Sequence, residues 1–132
     1  MARYYIDTCI WRDYFENRVD RFRPLGEWAH RMLNQSLENK DTILCSEMVK
    51  LELEEYFKEE DIKRIFEPYS NIIAEIEIDP DIMSIARGLR KELSHGDSIH
   101  AAVAIAHSAV LVTRDRHFET VGIVVKRPEE LL

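Results

Sequence analysis

Residues 97–118 read Asp97-Ser98-Ile99-His100-Ala101-Ala102-Val103-Ala104-Ile105-Ala106-His107-Ser108-Ala109-Val110-Leu111-Val112-Thr113-Arg114-Asp115-Arg116-His117-Phe118. The stretch from Asp97 to His107 is apolar nearly all round, so as a helix it is buried on most sides. Val110 to Thr113 is a short apolar run rich in β-formers, as expected of a strand covered on both faces. A buried helix feeding a buried strand is half of a crossover unit. It predicts a parallel sheet with helices on each side.

Working outward, the same alternation recurs. Arg3 to Ile6 reads as a first strand ending at Asp7, and Ile10 to Asn17 as a helix. After a polar break at Arg18 to Pro24, Leu25 to Glu38 carries Leu25, Trp28, Ala29, Met32 and Leu33 at helical spacing. Thr42 to Cys45 is a second strand. Ser46 is expected to cap a helix to about Lys58, with a break near Glu60 and helix again to Tyr69. Ile72 to Ile78 alternates like a third strand. Pro80 opens a helix over Asp81 to Leu93. Asp115 to Thr120 is a short helix, Gly122 to Val125 a fifth strand, and Pro128 to Leu132 closes the chain. The expected fold is α/β: a Rossmann-like three-layer α/β/α sandwich on a parallel sheet of about five strands.

With 132 residues, 45% of them hydrophobic, the chain is long enough for one core without a disulfide or metal staple. One domain, 1–132, is expected. The longest near-continuous apolar run, Ile99 to Val112, is too short and too polar to span a bilayer. The first residues carry charge early and lack the apolar core of a signal peptide. A soluble protein in the cytoplasm, with no membrane partner, is expected. Cys9 and Cys45 form no zinc or redox spacing and suit a reducing compartment. A net charge of −7 counts against nucleic-acid binding through a broad basic face. It leaves room for an acidic pocket whose bound cations meet phosphate.

In open parallel sheets, ligands bind beyond the carboxyl ends of the strands. Asp7 follows the first strand, Asp115 lies just past the fourth, and Asp97 opens the buried helix that leads into the fourth. Each alone reads as a helix N-cap. Together they form a like-charge cluster that needs something positive within it. Glu52 is the independent clue. It falls inside the apolar stripe Met48, Val49, Leu53, Tyr56 and Phe57, where an ionised Glu is costly without a partner. A salt bridge to a buried Arg, or a side chain snorkelling out at the edge, would also explain it. Four carboxylates with no Cys or His ligand set suit a hard cation, Mg²⁺ or Mn²⁺, as one ion or two. Such ions activate water and neutralise a leaving oxygen, the chemistry of phosphodiester hydrolysis. Arg12, Arg114 and Arg116 are the candidates for holding phosphates. Their alternative is ion pairing with nearby acids. His95, His100 and His117 are candidate proton shuttles, with a structural role as the alternative.

The order and spacing of four segments resemble the PIN-domain family, in particular the VapC-type toxin ribonucleases of type II toxin–antitoxin systems. These are Tyr5-Ile6-Asp7-Thr8-Cys9-Ile10-Trp11, Ser46 through Glu52, Asp97 through Ala104, and Val110 through Phe118 with Thr113-Arg114-Asp115. The resemblance covers nearly the whole chain. It implies Mg²⁺- or Mn²⁺-dependent endonuclease action on single-stranded RNA, homodimers, and an antitoxin partner that covers the acidic pocket. It also implies metal-site roles for Asp7, Glu52, Asp97 and Asp115, with the Thr113 hydroxyl in support. His95 and His100 beside Asp97, and Lys50 in place of a small residue, depart from the pattern. Competing readings are a catalytically silent copy of the fold acting as a binding module, and a stand-alone RNA-processing nuclease. A phosphoryl-accepting receiver with Asp79 and Lys126 would leave Asp115 without a role. A phosphatase with an Asp nucleophile would need an acid where Cys9 stands.

Overall fold

The computed structural model describes residues 1–132. Five short strands form one parallel sheet: β1 (Arg3–Ile6), β2 (Thr42–Ser46), β3 (Ile73–Ile76), β4 (Val110–Val112) and β5 (Val125–Lys126). Their spatial order is β3-β2-β1-β4-β5. Every pairing is parallel, with Tyr5 opposite Leu44 on one side and Leu111 on the other. The sheet is thus the expected one. β1 is central, and the order reverses about it.

Six helices complete the sandwich: α1 (Thr8–Glu16), α2 (Leu25–Asn39), α3 (Glu47–Glu54), α4 (Glu59–Phe66), α5 (Pro80–Leu89) and α6 (His95–Ala106). Right-handed crossovers that run in opposite directions from β1 place helices on opposite faces. α1 packs on α2 and α5 on α6, while α3 touches both α1 and α6 at the end of the sheet. Twenty-six buried hydrophobic residues form one cluster, with Tyr5, Ile6, Trp11, Leu44, Leu111 and Phe118 among its members. No helix is long and apolar enough to cross a membrane.

Several boundaries differ from expectation for local reasons. The helix after Ser46 ends at Glu54 instead of near Lys58. The amides of Tyr56 and Phe57 both return to the Leu53 carbonyl, and Phe57 turns in to pack edge-on against Phe15 at 5.3 Å. Ser46 makes no side-chain cap, because its hydroxyl bonds to Tyr5 instead. α5 stops at Leu89, four residues early, where the Arg90 and Glu92 amides turn to the carbonyls three residues back, Arg87 and Leu89. Gly122 sits at φ +73, which ends a 3₁₀ turn over Arg116–Val121 and delays β5 to Val125. The last of three 3₁₀ turns, Pro128–Leu131, packs on α2.

Asp97 does not open its helix. Ser94 is the N-cap of α6 and accepts from the Asp97 amide, which leaves the Asp97 side chain in the first turn.

Candidate metal centre

β1 ends at Asp7, and the Asp7 amide donates to the Val112 carbonyl at 2.9 Å, locking the acid beside the end of β4. Its Oδ1 accepts from the Thr8 amide at 2.7 Å, so Asp7 does cap α1. Its Oδ2 accepts from the Thr113 hydroxyl at 2.7 Å. Thr113 Oγ1 in turn accepts from the Asp115 amide at 3.1 Å. The buried Thr113 hydroxyl therefore ties the acid after β1 to the acid after β4. Asp115 caps the following 3₁₀ turn through the His117 amide, with its carboxylate partly open to solvent. Capping and a place in the acidic cluster coexist in both residues.

Glu52 reaches the same edge from α3. Its Oε1 accepts from the Thr8 hydroxyl at 2.7 Å and lies 2.5 Å from His100 Nε2. No Arg is paired with it, and its side chain is 34% exposed, so it lies at the rim of the core stripe and not within it. Burial works to raise the Glu52 pKa. The hydrogen bond and charge of His100 and the Thr8 bond outweigh that and hold it below the ordinary value. Gly96 faces the other Glu52 oxygen, and a Cβ there would stand 3.6 Å from Oε2.

Asp97 shows the strain of the cluster. Burial raises its pKa, and the charges of Asp115 and Asp7 raise it further, against the Ser94 hydroxyl. All four acids thus share one edge, though only Asp7 and Glu52 join the tightest donor group. The third member of that group is His100, with all three ligand atoms within 4.8 Å of one another. His100 is 1% exposed. Burial lowers its pKa, but the Glu52 hydrogen bond and the Asp7, Glu52 and Asp97 charges leave it raised. The sequence offers His100 as a candidate proton shuttle, but not as the partner of Glu52 and Asp7. The available signal was its position three residues after Asp97, on the same helical face.

A cleft of about 200 Å³ at this edge is lined by Asp7, Thr8, Cys9, Arg12, Glu52, Glu55 and Tyr56. A larger cavity of about 780 Å³, between α3, α4 and β3, contains none of the four acids. Donor chemistry, not volume, identifies the site. Burial and the Asp7 charge push the Cys9 thiol up to about 12. It stays protonated and donates to Asp7 at 3.6 Å. The donor set of clustered carboxylates fits a hard divalent cation.

The three candidate arginines separate. Arg12 lies over the Tyr56 ring at 3.6 Å and pairs with Glu16 at the cleft. Arg116 is 64% exposed beside Glu119. Arg114 turns inward, 16% exposed, between Asp13 at 3.2 Å and Glu129 at 3.0 Å. All three pair with a nearby acid, and the ion-pair reading is fullest for Arg114, whose guanidinium is committed to two carboxylates.

Residues 4–124 match the family model described as the PIN domain. No curated protein matches the chain in sequence. Among solved structures, VapBC2 from Rickettsia felis, bound to a promoter DNA fragment, aligns at TM-score 0.73 with 20% identity over 95% of this chain and 98% of that one. FitAcB from Neisseria gonorrhoeae aligns at TM-score 0.69 with 17% identity, covering 95% and 97%. A toxin–antitoxin complex from Klebsiella pneumoniae aligns at TM-score 0.66 with 26% identity, covering 97% and 98%.

Proposed function

Because the chain belongs to the PIN-domain family, we propose that it is a divalent-metal-dependent endoribonuclease, the toxin of a toxin–antitoxin pair. The observation that carries this reading is the meeting of Asp7, Glu52, Asp97 and Asp115 at the carboxyl edge of the sheet, around its central strand. In this reading the four acids hold Mg²⁺ or Mn²⁺, one ion or two. When bound, the metal lowers the pKa of an attacking water and offsets charge on the leaving oxygen.

The chain's own residues then do the positioning. Thr113 holds Asp7 by its hydroxyl, and Thr8 holds Glu52, so neither carboxylate has to be ordered when substrate arrives. In this reading Asp97, in the first turn of α6 at the same edge, is the candidate to take a proton from the water. Arg12 at the cleft and the exposed Arg116 meet the phosphates of single-stranded RNA. Arg114 serves the scaffold. The Klebsiella pneumoniae structure named above is a toxin–antitoxin complex. It supports an antitoxin as the second partner, which in this reading covers the acidic cleft. We take the whole chain to act as one domain, as a homodimer in the cytoplasm.

The test is to incubate purified protein with long single-stranded RNA in Mn²⁺, in Mg²⁺ and in chelator, beside an identically purified Asp97→Asn variant. Metal-dependent cleavage by the wild type, reduced at least about a hundredfold in the variant, is expected. Equal cleavage by both would identify a contaminant and count against the proposal.

A further inference from the structure

A reading built on four carboxylates leaves one fully buried polar side chain of the site without a task. His100 points its Nε2 at Glu52 Oε1, 2.5 Å away, with Asp7 Oδ1 at 3.7 Å. Its Nδ1 meets the Tyr5 hydroxyl at 2.6 Å, and that hydroxyl meets Ser46 Oγ at 2.6 Å. Tyr5 and Ser46 are fully buried, so no water competes for either bond. We propose that His100 is a nitrogen donor to the metal, making the site a mixed imidazole–carboxylate centre that takes Mn²⁺ in preference to Mg²⁺. This rests on the metal-dependent function proposed above and adds a donor that the four-acid reading lacks.

Two features of the geometry carry the assignment. The first is convergence. The ligand atoms of Asp7, Glu52 and His100 all lie within 4.8 Å of one another, a grouping that neither Asp97 nor Asp115 joins. The second is the far side of the ring. A ligating His has its other ring nitrogen fixed by a hydrogen bond, which sets the tautomer and the aim. In this assignment Nδ1–H donates to Tyr5 and Tyr5 to Ser46, which leaves the Nε2 lone pair facing the two carboxylates. Without an ion, the same contact between Nε2 and Glu52 is filled by a proton. The ion takes that proton's place and the proton leaves to solvent. Neighbouring donors on an octahedral ion stand about 3 Å apart. Glu52 therefore has to withdraw by about half an ångström, which a side chain at the rim of the core can do. Imidazole binds Fe²⁺, Ni²⁺ and Zn²⁺ more strongly than Mn²⁺, and any of these transition ions more strongly than Mg²⁺, which keeps oxygen and water ligands. Between the two ions of the proposed function, the nitrogen therefore tilts selection toward Mn²⁺.

The experiment is pulsed electron paramagnetic resonance of the Mn²⁺-loaded protein, with Mn²⁺ and Mg²⁺ affinities measured by calorimetry. Coupling of the Mn²⁺ spin to ¹⁴N is expected, replaced by the ¹⁵N pattern after labelling with ¹⁵N-histidine. His100→Gln is expected to lose the coupling and to weaken Mn²⁺ binding at least about tenfold, with a smaller loss for Mg²⁺. Tyr5→Phe keeps the imidazole but frees its aim, and is expected to lower the Mn²⁺-over-Mg²⁺ preference. Bound Mn²⁺ without nitrogen coupling would overturn the assignment of His100 and leave the metal-dependent function standing. Coupling that persists in His100→Gln would also overturn it and move the nitrogen to another histidine. No binding of either metal would overturn both proposals.

Discussion

Asp97 is where the cost of the site can be measured on a single side chain. Its pKa is raised by burial and then by Asp115 and Asp7, so ionising it costs the folded protein more than the unfolded chain. A carboxyl whose folded pKa is raised contributes stability below its unfolded value, and that contribution is lost as pH rises through the folded value. At neutral pH and in chelator the charged form is therefore a burden, and the neutral Asp97→Asn should melt higher by on the order of 2 °C. The advantage should shrink as pH falls toward the ordinary carboxylate range. Thermal melts across pH 4 to 7 check this, and a lower-melting variant at pH 7 would refute it. The sequence could place Asp97 at the right edge, because a strand, a buried helix and an acid lie in fixed order along the chain. It could not show that the nearest donor to Glu52 is His100. That contact joins residues 48 apart and depends on how α3 leans on α6.

At the scale of elements, the helices were legible from apolar spacing, and their ends were not. The stripe on α3 predicted a longer helix, but the return of two amides to Leu53 and the inward turn of Phe57 end it. Such endings are decided by packing partners far along the chain. The α1–α2 junction shows a further constraint that no periodicity reveals. Gly26 lies where a Cβ would stand 2.5 Å from the Asn17 Cα and 2.6 Å from the Asp13 carbonyl oxygen. Its amide donates to the Arg18 carbonyl at 2.9 Å, so backbone meets backbone and neither side can yield. Gly26→Ala should destabilise by about 2–3 kcal/mol through overpacking. Denaturant unfolding checks this, and a change under about 0.5 kcal/mol would show that the junction moves freely.

For the whole molecule, the layered architecture was readable from strand and helix alternation, while the reversal of strand order about β1 required the structure. One side chain spans much of that architecture. Arg114 leaves the end of β4, pairs with Asp13 of α1 and Glu129 of the last turn, and approaches Trp28 of α2 at 5.9 Å. Asp13 is 5% exposed, and without Arg114 its buried carboxylate would keep only the more distant, half-exposed Arg18 at 3.7 Å. Arg114→Ala should cost about 3 kcal/mol in unfolding experiments. RNA affinity, once measured on the folded fraction, should stay near that of the wild type. A stable variant with weakened RNA binding would instead return Arg114 to the substrate.

The margins of the sheet set how copies of the molecule can meet. β3 is four residues long, with Glu75 engaged by Lys50, and β5 is only two residues long. Short, charged margins make poor templates for another chain's backbone. Cross-β stacking therefore finds little purchase in the native state, and self-association is left to the outer surfaces of the helices.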